Sequence, residues 1–340
     1  MSIELLGNKI QTRNLSQQLD VEAGVLNMDT PIFESGNFST SYSMFSTAFS
    51  NGDVLFEQFN EYQTVIANRL TDSSIRTDAT KFGPQETLLP AFLAAYSGKS
   101  PTSVSLEPFR NVPIPNWTLR YNGLMKIDWF KENFRSFALS NGYRSSYTIS
   151  NFTNNLQYDH ADLTKTNTLG NYQSELLISS ASLIDEFSPL IKVEMKLKNS
   201  FSFRGEIKKD RTLTLNFDNS TLTDIKGTEF VFGMGYQIKN VVFNTKFSGK
   251  KQRLKGDINI RADISLRDNL TLIRSIEVEN NQISGGQKLL SIKLAADYKL
   301  NSNLTASFYY NHNTSRYAIS TTYPRQSINT GINIIYNLGN

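Results

Sequence analysis

Cysteine is absent from this 340-residue chain, histidine occurs only twice and proline nine times. The absence of cysteine excludes disulfides, thiolate metal sites and a cysteine nucleophile. His160 and His312 stand in neither an HExxH motif nor any paired-ligand spacing, so the residues point to no metal and no cofactor. No GxSxG and no nucleotide-binding loop occurs, and no catalytic residue is expected. There is no apolar run of about 18 residues, which excludes a transmembrane helix. Charge of one sign is scarce too: 35 basic against 31 acidic residues leave a net +4, too little to suggest a nucleic-acid partner. The first ten residues, MSIELLGNKI, lack a basic stretch followed by an apolar one, so no signal peptide is expected there.

What is present is alternation. In RLKGDINIRADISLR, residues 253–267, every even position is apolar or small: Leu254, Gly256, Ile258, Ile260, Ala262, Ile264 and Leu266. Every odd position is polar, among them Lys255, Asp257, Asn259, Arg261, Asp263 and Arg267. A period of two places the two sets on opposite faces of one β-strand. At about 3.3 Å per residue such a strand reaches roughly 50 Å, whereas a soluble strand usually has about 5–6 residues. A mean hydropathy of −0.36 is compatible with a membrane barrel, whose strands carry as many polar as apolar residues.

The chain divides near residue 110. Before it, residues 1–35 lack periodicity, and NFSTSYSMFSTAFS (37–50) reads as a strand with aromatic punctuation. Ser50 to Asp53 has capping-box spacing, and Leu55, Phe59, Tyr62, Ile66 and Leu70 then predict an amphipathic helix over 53–70. A second helix is expected over 85–96, stopped by Gly98. After the Pro-rich 105–117, residues 111–340 read as about ten antiparallel strands. Strands are expected near 117–123, 134–150, 172–182, 190–207, 211–217 and 228–247, with an aromatic turn at 126–134 and a polar loop at 151–171. Arg267-Asp268-Asn269 is expected to turn the chain, as is Asn301-Ser302-Asn303. Leu290, Ile292, Leu294, Ala296, Tyr298 and Leu300 then align on one face, and so do Ile328, Ile332, Ile334, Tyr336 and Leu338.

Long alternating antiparallel strands, with Tyr and Phe (15 and 22 in all) towards their ends, point to an all-β outer-membrane barrel wall. In that wall Leu254, Ile258, Ile260, Ile264 and Leu266 would face lipid, and Lys255, Asp257, Asn259, Arg261, Asp263 and Arg267 would line the lumen. The charges nearly cancel, so they are read as a solvated face with cross-strand ion pairs rather than as a selective field. A soluble β-sandwich binding module also alternates, and a free-standing small barrel (porin or adhesin) would close if its first and last strands paired. An outer-membrane hydrolase using His312 is the one catalytic arrangement that the pattern leaves room for. Gly233 and Gly235 in FGMGYQ are read as a strand kink or close packing, not a phosphate cradle.

Three stretches carry a more specific signal. They are LLPAFLAAYSGK (88–99) through IPNWTLRYNGLMKI to LSNGYRSSYTISNF (139–152), then FSPLIKVEMKLKNSFSFRGEIKKDRTLTLNF (187–217) to GTEFVFGMGYQIKN, and the tail from IRADISLRDNLTLIRSIE to INIIYNL. In this order they resemble the C-terminal part of the SprA/Sov family, the outer-membrane translocon of type IX secretion in Bacteroidetes. PAFLAAYSGK and PNWTLRYNGL are the most specific pieces. The resemblance implies one very large antiparallel barrel that exports folded cargo proteins and has no catalytic residues. Its implied partners are outer-membrane lipid, secreted cargo, lateral-opening and plug proteins, and the remainder of the translocon barrel. This chain is much shorter than a member of that family, so it is expected to be a C-terminal portion: a fragment or one piece of a split translocon.

Overall fold

The computed structural model describes residues 2–6, 21–22, 25–26, 35–110, 116–247, 250–278, 281–299, 304–319 and 323–336. Four short strands, β1 (Ser2–Leu6), β2 (Val21–Glu22), β3 (Val25–Leu26) and β4 (Ser35–Thr40), precede helices α1 (Gly52–Asp72) and α2 (Pro84–Ser97). Then come β5 (Asn116–Tyr121) and a short helix α3 (Asp128–Asn133). After these the chain is strand after strand: β6 (Phe134–Asn154), β7 (Leu176–Leu197), β8 (Phe201–Asn216), β9 (Thr221–Phe247), β10 (Lys250–Ser275), β11 (Asn281–Lys299), β12 (Leu304–Tyr317) and β13 (Arg325–Tyr336).

Strand β1 and strands β4 to β13 form one 11-stranded antiparallel sheet in the order β1-β5-β6-β7-β8-β9-β10-β11-β12-β13, with β4 paired to the far end of β6, while β2 and β3 pair with each other. From β5 onward each strand pairs with the next in sequence. The sheet is not closed: among the described residues β13 pairs only with β12, and β1 only with β5. None of the described helices is long and apolar enough to cross a membrane, which says nothing about crossing by strands.

Both expected long helices form. The N-cap of α1 is Asn51, not Ser50: its side chain accepts from the Asp53 N–H at 2.9 Å. Leu55, Phe56, Phe59, Ile66 and Leu70 are the buried stripe of α1. Helix α2 is buried continuously from Leu88 to Ser97, as a helix that is apolar all round must be. Gly98 ends it in the left-handed region at φ 69°, where a Cβ would lie 2.6 Å from Ser46 Oγ. The two helices pack on one end of the sheet, where Phe59 and Phe92 share one buried core with Tyr147, Leu183, Leu213 and Leu222. Full burial of a phenylalanine contributes about 1.5–3 kcal/mol, so this core holds the helical segment to the sheet.

Several strand boundaries differ from the sequence reading. Residues 1–35 are not wholly irregular, since β1 pairs with β5. The expected strand over 37–50 is confined to β4, and a 3₁₀ turn follows at Phe45–Thr47. The aromatic turn contains α3. Strand β7 runs through Pro189, whose missing N–H is absorbed by a register shift against β8 between Phe187 and Ile191. The expected strand over 190–207 is instead cut at 198–200, where Ser200 has φ 73°. Arg267-Asp268-Asn269 is not a turn: β10 continues to Ser275, paired on both sides. Asx residues make turns only where the backbone is free to leave a ladder, and here Asp268 is in ion-pair contact with Lys288 on β11 at 3.2 Å. The expected hairpin turn at 301–303, Leu300 and Leu338 lie outside the described residues, as do 111–115 of the Pro-rich stretch.

Candidate functional site

Directly opposed residues of antiparallel strands share a face, so the register sorts the side chains of the whole sheet. One row reads Phe201, Tyr236, Ile260, Ala296, Phe308, Ile332 from β8 to β13. Two residues along, another reads Phe203, Met234, Ala262, Leu294, Tyr310, Thr330. Ile258, Ile264 and Leu266 belong to this same apolar face, with Ile264 between Phe232 and Ile292. Asp257, Asn259, Arg261, Asp263 and Arg267 lie on the other. The side chains of Leu254 and Lys255 lie outside the described residues.

Large apolar side chains stand open on one face, and carboxylates are covered on the other. On the apolar face Phe230 is 52% exposed, Ile264 45% and Ile332 71%. On the polar face the side chains of Glu206 and Glu229 are only 12% and 18% exposed. A water-soluble sheet hides its apolar side chains and wets its charges. A contiguous apolar area spanning six strands marks a surface made to be covered.

The polar face is internally neutralised. Arg204 Nη2 donates to Asp263 Oδ1 at 3.0 Å, Arg267 Nη2 to Asp210 Oδ1 at 2.8 Å, and Arg261 Nη2 to Asp297 Oδ2 at 2.5 Å. Lys208 bridges Glu206 and Glu229 at 3.9 and 3.5 Å. Gln237 Nε2 and the Asn240 N–H both donate to Asp257. Two of these pairs jump a whole strand. Arg204 on β8 and Asp263 on β10 flank Gly233 of β9 in one row, and a Cβ on Gly233 would come within 2.4 Å of Asp263 Oδ1. Arg267, opposite Glu229, reaches Asp210 diagonally past Gly227, where an added Cβ would stand 2.8 Å from Arg267 Nη2 and 2.5 Å from Asp210 Oδ2. Glycine in FGMGYQ therefore serves close packing, and what it makes room for is an ion pair.

At one end the apolar face is covered. The parity that carries Ile260 and Leu266 continues through Leu270 and Leu272 to Arg274, and that of Phe230 runs back to Asp224 and Leu222. There α1 and α2 lie over the sheet, on the apolar side and not on the ion-paired side. Asp224 is fully buried and accepts two bonds from Arg211, Nε to Oδ1 at 3.0 Å and Nη2 to Oδ2 at 2.8 Å. Arg274 meets Asp53 of α1, and that charge-assisted bond, together with the guanidinium charge, holds the Asp53 carboxyl below its ordinary range. Burial pushes the Tyr96 hydroxyl up, beneath Arg211, whose guanidinium lies 5.2 Å from its ring centroid. The sequence reading missed Asp224 and Arg274. Their signal was a charge standing in an otherwise apolar register.

His160 lies in the polar loop, edge-on to Tyr158. His312 lies on the apolar face between Ile292 and Ile328, with its ring nitrogens near Gln326 Nε2 (2.9 Å), Thr314 Oγ1 (3.2 Å) and Tyr310 Oη (3.4 Å). None of these is a carboxylate that could orient it as a base. No protein-family model matches the chain, and no curated protein matches it.

Proposed function

We propose that this chain is part of the wall of a protein-conducting outer-membrane pore of the type IX secretion kind, with no catalysis of its own. One observation carries the reading: across an open, long-stranded sheet a band of large apolar side chains stands exposed, Phe230, Ile264 and Ile332 among them, while Glu206 and Glu229 on the opposite face are largely covered. In water that arrangement is unfavourable at about 25 cal/mol for every Å² of apolar area left wet; against acyl chains it is not. In this reading Ile258, Ile260, Ile264 and Leu266 meet lipid, and Asp257, Asn259, Arg261, Asp263 and Arg267 line a lumen whose charges cancel in pairs. A neutral, wetted wall suits passage of folded cargo of varied charge. Among the described residues the outer edges of β1 and β13 have no partner strand, which favours a section of a larger barrel over a free-standing small one, because an exposed edge is a template for another strand. The partners in this reading are the remainder of the barrel, plug and lateral-opening proteins, and cargo, with energy supplied elsewhere.

Depleting the chain in the organism that encodes it tests the function. Proteins bearing C-terminal sorting domains should disappear from the cell surface and accumulate in the periplasm. Undiminished export would overturn the reading.

A further inference from the structure

A single register row bounds the exposed apolar band, and across β6 to β9 the covered end of the same face lies on its other side. From β5 to β12 it reads Trp117, Tyr143, Phe187, Lys209, Thr228, Asp268, Lys288, Arg316. Its first part is aromatic and its second part basic. Above the aromatic part sits the 3₁₀ turn of the helical segment, where Phe45 and Phe49 remain 48% and 59% exposed. Phe45 packs 5.6 Å from the rings of both Trp117 and Tyr143. Phe49 packs 5.5 Å from Phe187. Lys209 binds this turn from below, donating to Ala48 O at 2.7 Å with its ammonium 4.3 Å from the Phe49 centroid. Lys288 is 70% exposed and in contact with Asp268. Neither Lys209 nor Arg316 has a carboxylate within ion-pair distance among the described residues.

Exposed aromatic rings beside long basic side chains, all bordering one apolar band, match the region where acyl chains give way to headgroups. Aromatic rings partition there, and Lys and Arg extend their charged ends towards phosphate. We propose that this row binds the phosphate headgroups of an anionic bilayer, and that it thereby seats the helical segment on the membrane surface as a collar outside the lumen. The inference rests on the lipid-facing reading of the band and goes beyond it by fixing where the bilayer ends. Charge complementarity selects the occupant: cations outnumber carboxylates along the row, and each basic residue near an anionic surface strengthens binding about fivefold.

The cysteine-free full chain allows single labels. An environment-sensitive fluorophore is placed at Ser50→Cys, beside Phe49, and separately at Ile264→Cys in the band. The chain is reconstituted into phosphatidylethanolamine vesicles containing phosphatidylglycerol. Nitroxide quenchers are carried on acyl chains, on phosphatidylglycerol headgroups or on phosphatidylcholine headgroups. The Ile264 probe should be quenched from the acyl chains. The Ser50 probe should be quenched from headgroups, and more by phosphatidylglycerol than by phosphatidylcholine. That preference should fall at least about fivefold in Lys288→Gln/Arg316→Gln, whose side chains are exposed and leave the core intact, and further when Lys209→Gln is added. A quenched Ile264 probe with Ser50 in water, or a Ser50 probe indifferent to lipid charge, overturns the collar and leaves the wall standing. An Ile264 probe shielded from water yet unquenched by any lipid means that a protein covers the band, and it overturns both.

Discussion

Arg274 of β10, 1% exposed, donates from Nη2 to Asp53 Oδ1 of α1 at 2.6 Å across 221 positions of sequence, with its guanidinium 5.1 Å from the Phe56 ring. The pair fastens the start of α1 to the C-terminal end of β10. It is lopsided, since the Asp53 side chain is 70% exposed while Arg274 is buried.

That asymmetry predicts which substitution matters. Asp53→Asn leaves a buried guanidinium with a weaker acceptor and should loosen α1 by about 1–2 kcal/mol. Arg274→Met leaves only a wet carboxylate and should cost less. The folded Asp53 carboxyl titrates below its unfolded value, so its contribution is complete above the ordinary carboxylate range and fades as pH falls through the folded value. Limited proteolysis of α1 against pH should show protection lost on the acid side in the parent chain and no such step in Asp53→Asn.

The Arg211–Asp224 pair is buried at both ends, with side-chain exposures of 8% and 0%. Asp224→Ala would strand the arginine and should destabilise the covered end by about 3–5 kcal/mol. Arg211→Met/Asp224→Ala should recover most of that loss in chemical unfolding. A double variant as unstable as the single one would refute this account.

Lysine at Ile260 or Ile264 should reduce stability in bilayers by about 2–4 kcal/mol if the apolar face meets the mid-bilayer. Lysine at Asn259, one residue away on the opposite face, should be far milder. Asp263→Lys should fall between, because it also leaves Arg204 unpaired over Gly233. Folding titrations in lipid vesicles measure all four, and neutrality at Ile260 and Ile264 would end the lipid-facing assignment.

Two glycines should behave oppositely. A Cβ on Gly227 would meet both Asp210 carboxylate oxygens at 2.5 and 2.6 Å, whereas one on Gly205 meets nothing within 4 Å. Gly227→Val should break the Arg267–Asp210 pair and destabilise by about 1–3 kcal/mol. Gly205→Val adds apolar surface to the exposed face between Val193 and Phe232, and should be neutral or stabilising by up to about 1 kcal/mol. Thermal unfolding in detergent distinguishes them.

Alternation is a local property, and it was legible. The opposite faces of β10 follow from residues 257–267 alone, because successive side chains of a strand must point apart. The amphipathic stripe of α1, the apolar run of α2 and the glycine that ends it were equally readable, since each signal lies within a few turns of chain. Where strands stop was less so. Asp268-Asn269 and Ser188-Pro189 carry the chemistry of turns, yet β10 passes through the first paired on both sides, and β7 passes through the second as an irregularity between paired stretches, with neighbours that a single stretch of sequence does not reveal.

The sequence by itself determined that the sheet would have one oily and one charged face. Only the tertiary structure decided that Arg204 reaches Asp263 over a glycine, and that α1 and α2 cover the oily face and not the charged one. Both depend on contacts between residues far apart in the chain. Periodicity can assign a side chain to a face, but only the assembled register says what lies across from it.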